Sequence, residues 1–115
     1  MEVATMWHTA LLSALAGTMG ANAIPHFVKG MVGEQFPNLL GNDPVRNALA
    51  GTVGLAISAC LGYWAHLPDH PLAGLTGLFL GALPMAIFHG RGGAYRLNAA
   101  AGRPNPPHTT PPATA

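Results

Sequence analysis

This sequence predicts an all-α integral membrane protein with three transmembrane helices, and three observations predict it. Five basic and four acidic residues carry all the formal charge in 115 residues, 8% against roughly 25% in an ordinary soluble domain. Half of the residues are hydrophobic. The charges also leave three gaps: residues 3–28, 47–68 and 70–90 contain no Asp, Glu, Lys or Arg. Each gap reaches the ~20 apolar residues that an α-helix needs to cross a bilayer. A small soluble domain exposes much of its surface and needs charge to cover it. Soluble enzyme, nucleic-acid binder and disordered chain are all poor readings.

The first span is expected over about residues 3–24. Ala21-Asn22-Ala23 fits the small-x-small pattern of a signal-peptide cleavage site, but the segment before the apolar run carries Glu2 and no Lys or Arg. Pro25 suits equally well as the stop of a retained membrane helix, which is the reading adopted. The second span is expected over 44–67, where Asp43 can cap the free N–H groups and Pro44 fits the first turn. The third is expected over 71–89, after Asp69-His70-Pro71, with a kink at Pro84 and an end at Gly90, Gly92 and Gly93. Together these make a membrane domain of residues 1–102. Residues 103–115 hold five prolines and no large apolar side chain, and read as a disordered tail.

Lys29 and Arg46 flank the connection between spans one and two, and Arg91, Arg96 and Arg103 follow span three; the other side has no Lys or Arg. The positive-inside rule therefore predicts an outer N-terminus and an inner C-terminus. Trp7, Tyr63 and Trp64 would anchor the outer interface, and Phe27, Phe36, Phe88 and Tyr95 the inner one. The connector 25–43 is long, and Phe27, Val28, Met31, Val32 and Phe36 recur in it at helical spacing. That pattern predicts a short amphipathic helix in the inner interface, with Phe27, Met31 and Phe36 available for docking.

Small residues recur at intervals of four: Ser13, Gly17 and Ala21 in span one; Ala50, Gly54, Ser58 and Gly62 in span two; Ala73, Gly77 and Gly81 in span three. Lipid gives helices little hydrophobic reason to associate, so close approach over small residues drives packing. The span-two ridge is expected to meet span three through Gly77 and Gly81, or else a foreign helix.

Chemistry is harder to find. No span has an Asp, Glu, Lys or Arg at mid-depth, which disfavours an ion-coupled transporter. His8, His66 and His70 fall with Asp69 towards the outer face, and His26 and His89 towards the inner one. A haem or other cofactor would draw on His8 with His66 or His89, and a metal on His66, Asp69 and His70. More often such groups are interfacial hydrogen-bonders, so no cofactor and no metal is expected. Cys60 is the single cysteine and cannot form an internal disulfide.

The stretch Ala23-Ile24-Pro25-His26-Phe27-Val28-Lys29-Gly30, with Gly33 and Phe36-Pro37, resembles a segment of a family of small bacterial multi-pass membrane proteins. The likeness covers about the first third of the chain, and weakly the later spans. It implies residence in the bacterial inner membrane and carries no activity to transfer. Size and span count also resemble the haem-binding anchors of succinate dehydrogenase, in architecture only. The function expected is a non-catalytic accessory or assembly subunit of a larger membrane complex, respiratory or photosynthetic. A redox anchor and a small homo-oligomeric carrier or channel are the alternatives. The expected partners are the lipid bilayer and other membrane subunits, with no nucleic acid.

Overall fold

The computed structural model describes residues 4–107, and they are all-helical: α1 (Met6–Met31), α2 (Pro44–Trp64), α3 (Pro71–Gly90) and α4 (Gly93–Ala100), with a 3-10 turn at Leu67–Asp69. Of these, α2 and α3 are long and apolar enough to cross a membrane. At 1.5 Å per residue they measure about 32 and 30 Å. Helix α1 is longer and carries Thr, Ser, His and Asn residues along its length.

Each start has a local cause. Thr5 caps α1, its hydroxyl accepting the His8 N–H at 3.1 Å. Asp43 caps α2 by accepting the Arg46 N–H at 2.9 Å, with Pro44 in the first turn. Helix α3 has no acidic cap. His70 holds the cap position without a side-chain bond, and the Asp69 carboxylate accepts the Ala4 N–H instead. The 3-10 turn opens on His66, which adopts the left-handed conformation (φ 51°) that a non-glycine residue rarely accepts.

Helix α1 does not stop at Pro25. It continues to Met31, and Pro25 lies inside it. Proline forfeits one N–H and crowds the preceding turn, a local cost. Tertiary contact on both sides offsets it: Ala23 lies against Gly54, and Phe27 against Gly51. The amphipathic connector helix is therefore not an element of this fold. Phe27 and Met31 belong to α1, and Phe36 lies in an irregular connector that runs from Val32 to Asp43.

Helix α1 is the middle of the bundle, packing against α2 on one side and α3 on another. The α1–α2 contact is antiparallel: Gly30 meets Ala48, Phe27 meets Gly51, Ala23 meets Gly54, and Gly20 meets Ser58. The α1–α3 contact is parallel: Thr9 meets Gly74, Ala10 meets Gly77, Ala14 meets Gly81, and Gly17 meets Leu78. At Gly17, Gly51, Gly77 and Gly81 an added Cβ would overlap the backbone of the facing helix. This is the close approach that small residues permit. Two polar bonds reinforce it. Ser58 donates to the Ala16 carbonyl at 2.7 Å, and the Thr18 hydroxyl lies 3.0 Å from the Gly81 carbonyl.

The expected pairing of α2 with α3 is thus corrected, since each turns its ridge towards α1. The ridges also step differently. On α2 the contact residues are Asn47, Gly51, Gly54 and Ser58, and on α3 they are Gly74, Gly77 and Gly81. Gly62 has no neighbour where a Cβ would go, and Ala50 and Ala73 lie half-buried beside the contact lines. Alternating steps of three and four follow one face of a helix, whereas strict steps of four drift around it.

The tail reading is corrected for residues 103–107. The Pro104 carbonyl accepts from Asn42 Nδ2 at 2.7 Å, Asn105 Nδ2 donates to the Tyr95 carbonyl at 2.9 Å, and Pro106 is buried. The rest of that reading, 108–115, lies outside the described residues.

Candidate functional site: an asparagine–histidine cluster at one end of the bundle

With α1 and α3 parallel and α2 antiparallel to both, chain segments far apart in sequence meet at the end where α1 finishes. All six asparagines of the chain gather there. Asn47, in the first turn of α2, is fully buried. Its Nδ2 faces the carbonyls of Phe36, Asn42 and Asp43 at 2.9, 3.1 and 3.1 Å. Its Oδ1 accepts from His26 Nδ1 at 2.7 Å. Asn42 Oδ1 accepts both the Asn38 N–H at 3.1 Å and the buried Asn98 Nδ2 at 3.0 Å. One amide thereby ties the connector to α4.

Two imidazoles stand at the centre. His26 from α1 and His89 from α3 have ring centroids 5.9 Å apart, edge to face. His89 Nε2 donates to Asn22 Oδ1 at 3.0 Å. Each ring nitrogen bonded to an asparagine carbonyl oxygen is the protonated one, so in the neutral tautomer the other nitrogen is an acceptor. Aromatic rings frame the pair. Phe36 lies 5.1 Å from His26 and 6.0 Å from His89, Tyr95 lies 6.1 Å from Phe36, and Phe88 lies 5.1 Å from His89.

Beside the rings is a cavity of about 330 Å³, walled by Pro37, Leu39, Leu40, Phe88, Ala94 and Leu97. Its polar lining consists of Asn22, His26, Asn38, His89 and Asn98, with no charged side chain. Two side-chain atoms of the lining residues are enclosed by protein and have no hydrogen-bond partner: Asn38 Nδ2 and His89 Nδ1. Asn38 has its other amide atom fixed, because Oδ1 accepts the Leu40 N–H at 3.0 Å.

The opposite end holds the remaining sequence candidates. His8 Nε2 donates to the Trp64 carbonyl at 2.8 Å, and the His8 and His66 rings lie 6.1 Å apart. His70 Nε2 donates to the Ala4 carbonyl at 2.7 Å, so His70 and Asp69 clamp the chain ahead of α1. Among the described residues, no three His, Cys, Asp or Glu side chains converge as metal ligands, and the candidate set of His66, Asp69 and His70 is not assembled. Nor can His8 act with His89. Fourteen helical steps along α1 from His8 to Asn22, the partner of His89, span about 21 Å.

The expected docking trio is likewise dispersed. Phe27 packs on Gly51, Met31 is exposed, and Phe36 joins the ring cluster. Sequence reading did not single out the asparagines, which carry no motif. Five of them fall in the segments 22–47 and 98, close to the five basic residues, and that was the available signal. Compared with known proteins, the chain matches no family model, no curated protein and no solved structure.

Proposed function

We propose that this chain is a three-span protein of the bacterial inner membrane, acting as a non-catalytic accessory or assembly subunit of a larger membrane complex. One observation carries the reading: bulk and burial are inverted. The buried positions of the bundle are Thr9, Ser13, Ala16, Gly17, Ala23, Asn47, Gly51, Gly54, Gly74, Gly77 and Gly81. Leu15, Val53, Ile57, Leu75, Phe79 and Leu83 are meanwhile exposed. Soluble monomers rarely expose contiguous apolar patches beyond ~300–600 Å². Lipid accepts such a surface without cost, and a glycine-lined interior is how helices associate inside it.

Helix α1 joins α2 and α3 as the third span in this reading, its more polar faces covered by its neighbours. All five Lys and Arg residues belong to the end carrying the asparagine cluster, and the positive-inside rule favours that end as the inner one and the start of α1 as the outer one. The role of subunit rests on the flanks. Helices α2 and α3 spend their small-residue ridges on α1 and leave bulky outer faces for lipid or for helices of a partner.

The test is extraction of the chain at native abundance in a mild detergent, followed by native electrophoresis and mass spectrometry. A discrete assembly of constant composition is expected. A chain that migrates alone and conducts ions or solutes in liposomes would establish the carrier or channel instead. A Soret band lost in His8→Ala or His66→Ala would establish the redox anchor.

A further inference from the structure

We propose that the corner where α3 turns into α4 is a docking surface for one anionic phospholipid of the adjoining leaflet, with its phosphate on Arg91 and Arg96. The turn is made by Gly92, whose φ of 75° lies in the left-handed region that glycine enters readily. It sets Arg91, at the end of α3, and Arg96, in α4, on one groove of about 480 Å³, with Pro84, Ile87, Phe88 and Leu97 among its other walls. No carboxylate lines this groove. Both arginines are exposed, and neither guanidinium has a hydrogen bond or an ion pair among the described residues. The described acids are engaged elsewhere: Glu34 pairs with Lys29, Asp43 pairs with Arg46, and Asp69 accepts the Ala4 N–H at the far end.

Charge and apolar surface together select the occupant. A guanidinium is planar, stays charged, and presents its N–H groups in a fork that matches phosphate oxygens. Two of them with no counter-ion in the protein call for an anion from outside. The apolar side of the groove decides what carries that anion. Ile87 is 47% and Leu97 48% exposed beside the arginines. The apolar surface runs on along α3 through Leu83, Phe79 and Leu75, all exposed. Twelve helical steps from Leu75 to Ile87 span about 18 Å, close to the ~15 Å of hydrocarbon in one leaflet. An anionic phospholipid offers a phosphate and chains of that reach in one molecule. A soluble phosphate ester would leave Ile87 and Leu97 in water, and a zwitterionic lipid brings a cation towards the arginines with its phosphate. Arg103 lies beyond α4 at the same end but does not line the groove, so it separates a built corner from diffuse positive charge. The proposal rests on the membrane reading and on no partner subunit.

The test is native mass spectrometry of the full chain, released from detergent micelles that hold equal amounts of phosphatidylglycerol and phosphatidylcholine with matched chains. We expect the first lipid retained to be phosphatidylglycerol by about tenfold or more, since each basic side chain beside an anionic headgroup supplies about fivefold. Arg91→Gln and Arg96→Gln should each lower that preference by about fivefold, while Arg103→Gln leaves it unchanged. All three side chains are exposed, and helical circular dichroism checks that the variants fold. The two-lipid comparison on the unmodified chain stands without them. Equal retention of the two lipids overturns the proposal. A loss in Arg103→Gln as large as in Arg91→Gln also overturns it, because the attraction would then be diffuse. Displacement of the lipid by glycerol 3-phosphate would give the corner to a soluble phosphate ester and overturn the lipid as its occupant. A chain that stays in solution without detergent fails the membrane reading itself, whereas a detergent-requiring chain that retains both lipids alike fails this proposal alone.

Discussion

Asn47 makes more of the asparagine–histidine end than any other single side chain, because it bonds two separate parts of the connector and His26 at once. Replacing it with Leu would leave the Phe36 carbonyl and His26 Nδ1 without their partner at a fully buried position, while the Asn42 and Asp43 carbonyls keep the N–H groups of Phe36 and Asn47. The expected loss is about 2–3 kcal/mol, the penalty for buried groups left unpaired. Thermal unfolding in detergent would measure it. Asn47→Asp should be no better, since it keeps the acceptor for His26 but turns a second oxygen towards those carbonyls. Nearby, the Arg46 N–H that Asp43 accepts, aided by the Arg46 guanidinium, holds the Asp43 carboxyl below its ordinary value of 3.8. A carboxylate lowered on folding contributes stability above its unfolded pKa and loses it as pH falls through the folded one. Asp43→Asn should therefore destabilise the start of α2 at pH 7, and the difference should fade as pH falls below about 3.8. Amide exchange of residues 45–48 would follow it.

At the scale of helices, the fold turns on which glycines touch backbone. A Cβ on Gly81 would overlap the Ala14 carbonyl, whereas one on Gly62 would meet nothing. Gly81→Ala should cost ~1–3 kcal/mol by overpacking, and Gly62→Ala should be neutral or gain up to ~1 kcal/mol of helix propensity. On the same logic Gly54→Leu, facing Ala23, should disrupt α1–α2 packing, and Val53→Leu, one residue away and exposed, should not. Equal stability of the last pair would remove the packing account. The limits of sequence reading lie at this scale. The starts of α2 and α3 were legible because Asp43-Pro44 and Pro71 are local signals, satisfied by neighbours in the chain. The end of α1 was not, because Pro25 is carried by contacts with Gly51 and Gly54, which no local pattern reports. Composition revealed that spans two and three were rich in small residues, but the contact lines 51-54-58 and 74-77-81 depend on α1 lying between them. The site was least legible. His26 and His89 are 63 positions apart, and their asparagine partners have no spacing rule; only a parallel α1–α3 pair brings them together.

For the whole molecule, the decisive question is what surrounds the exposed flanks of α2 and α3. Val53 and Pro68 are both exposed, but they differ in what should lie against them. Val53 lies mid-way along α2 among Leu49 and Ile57, while Pro68 lies in the 3-10 turn between α2 and α3. In water a thiol at either position would react with a polar maleimide. In a bilayer the thiol at Val53 would be in hydrocarbon, where neither the charged reagent nor a thiolate is stable. In a Cys60→Ser background, we expect Pro68→Cys to be labelled from outside intact cells. Arg96→Cys, on α4 at the basic end, should react only after permeabilisation. Val53→Cys should react only after denaturation. Labelling of Arg96→Cys from outside would invert the orientation while leaving the spans in place. Labelling of Val53→Cys as fast as Pro68→Cys would put the apolar flank in water, and the inverted burial of this bundle would then require a protein partner rather than lipid to cover it.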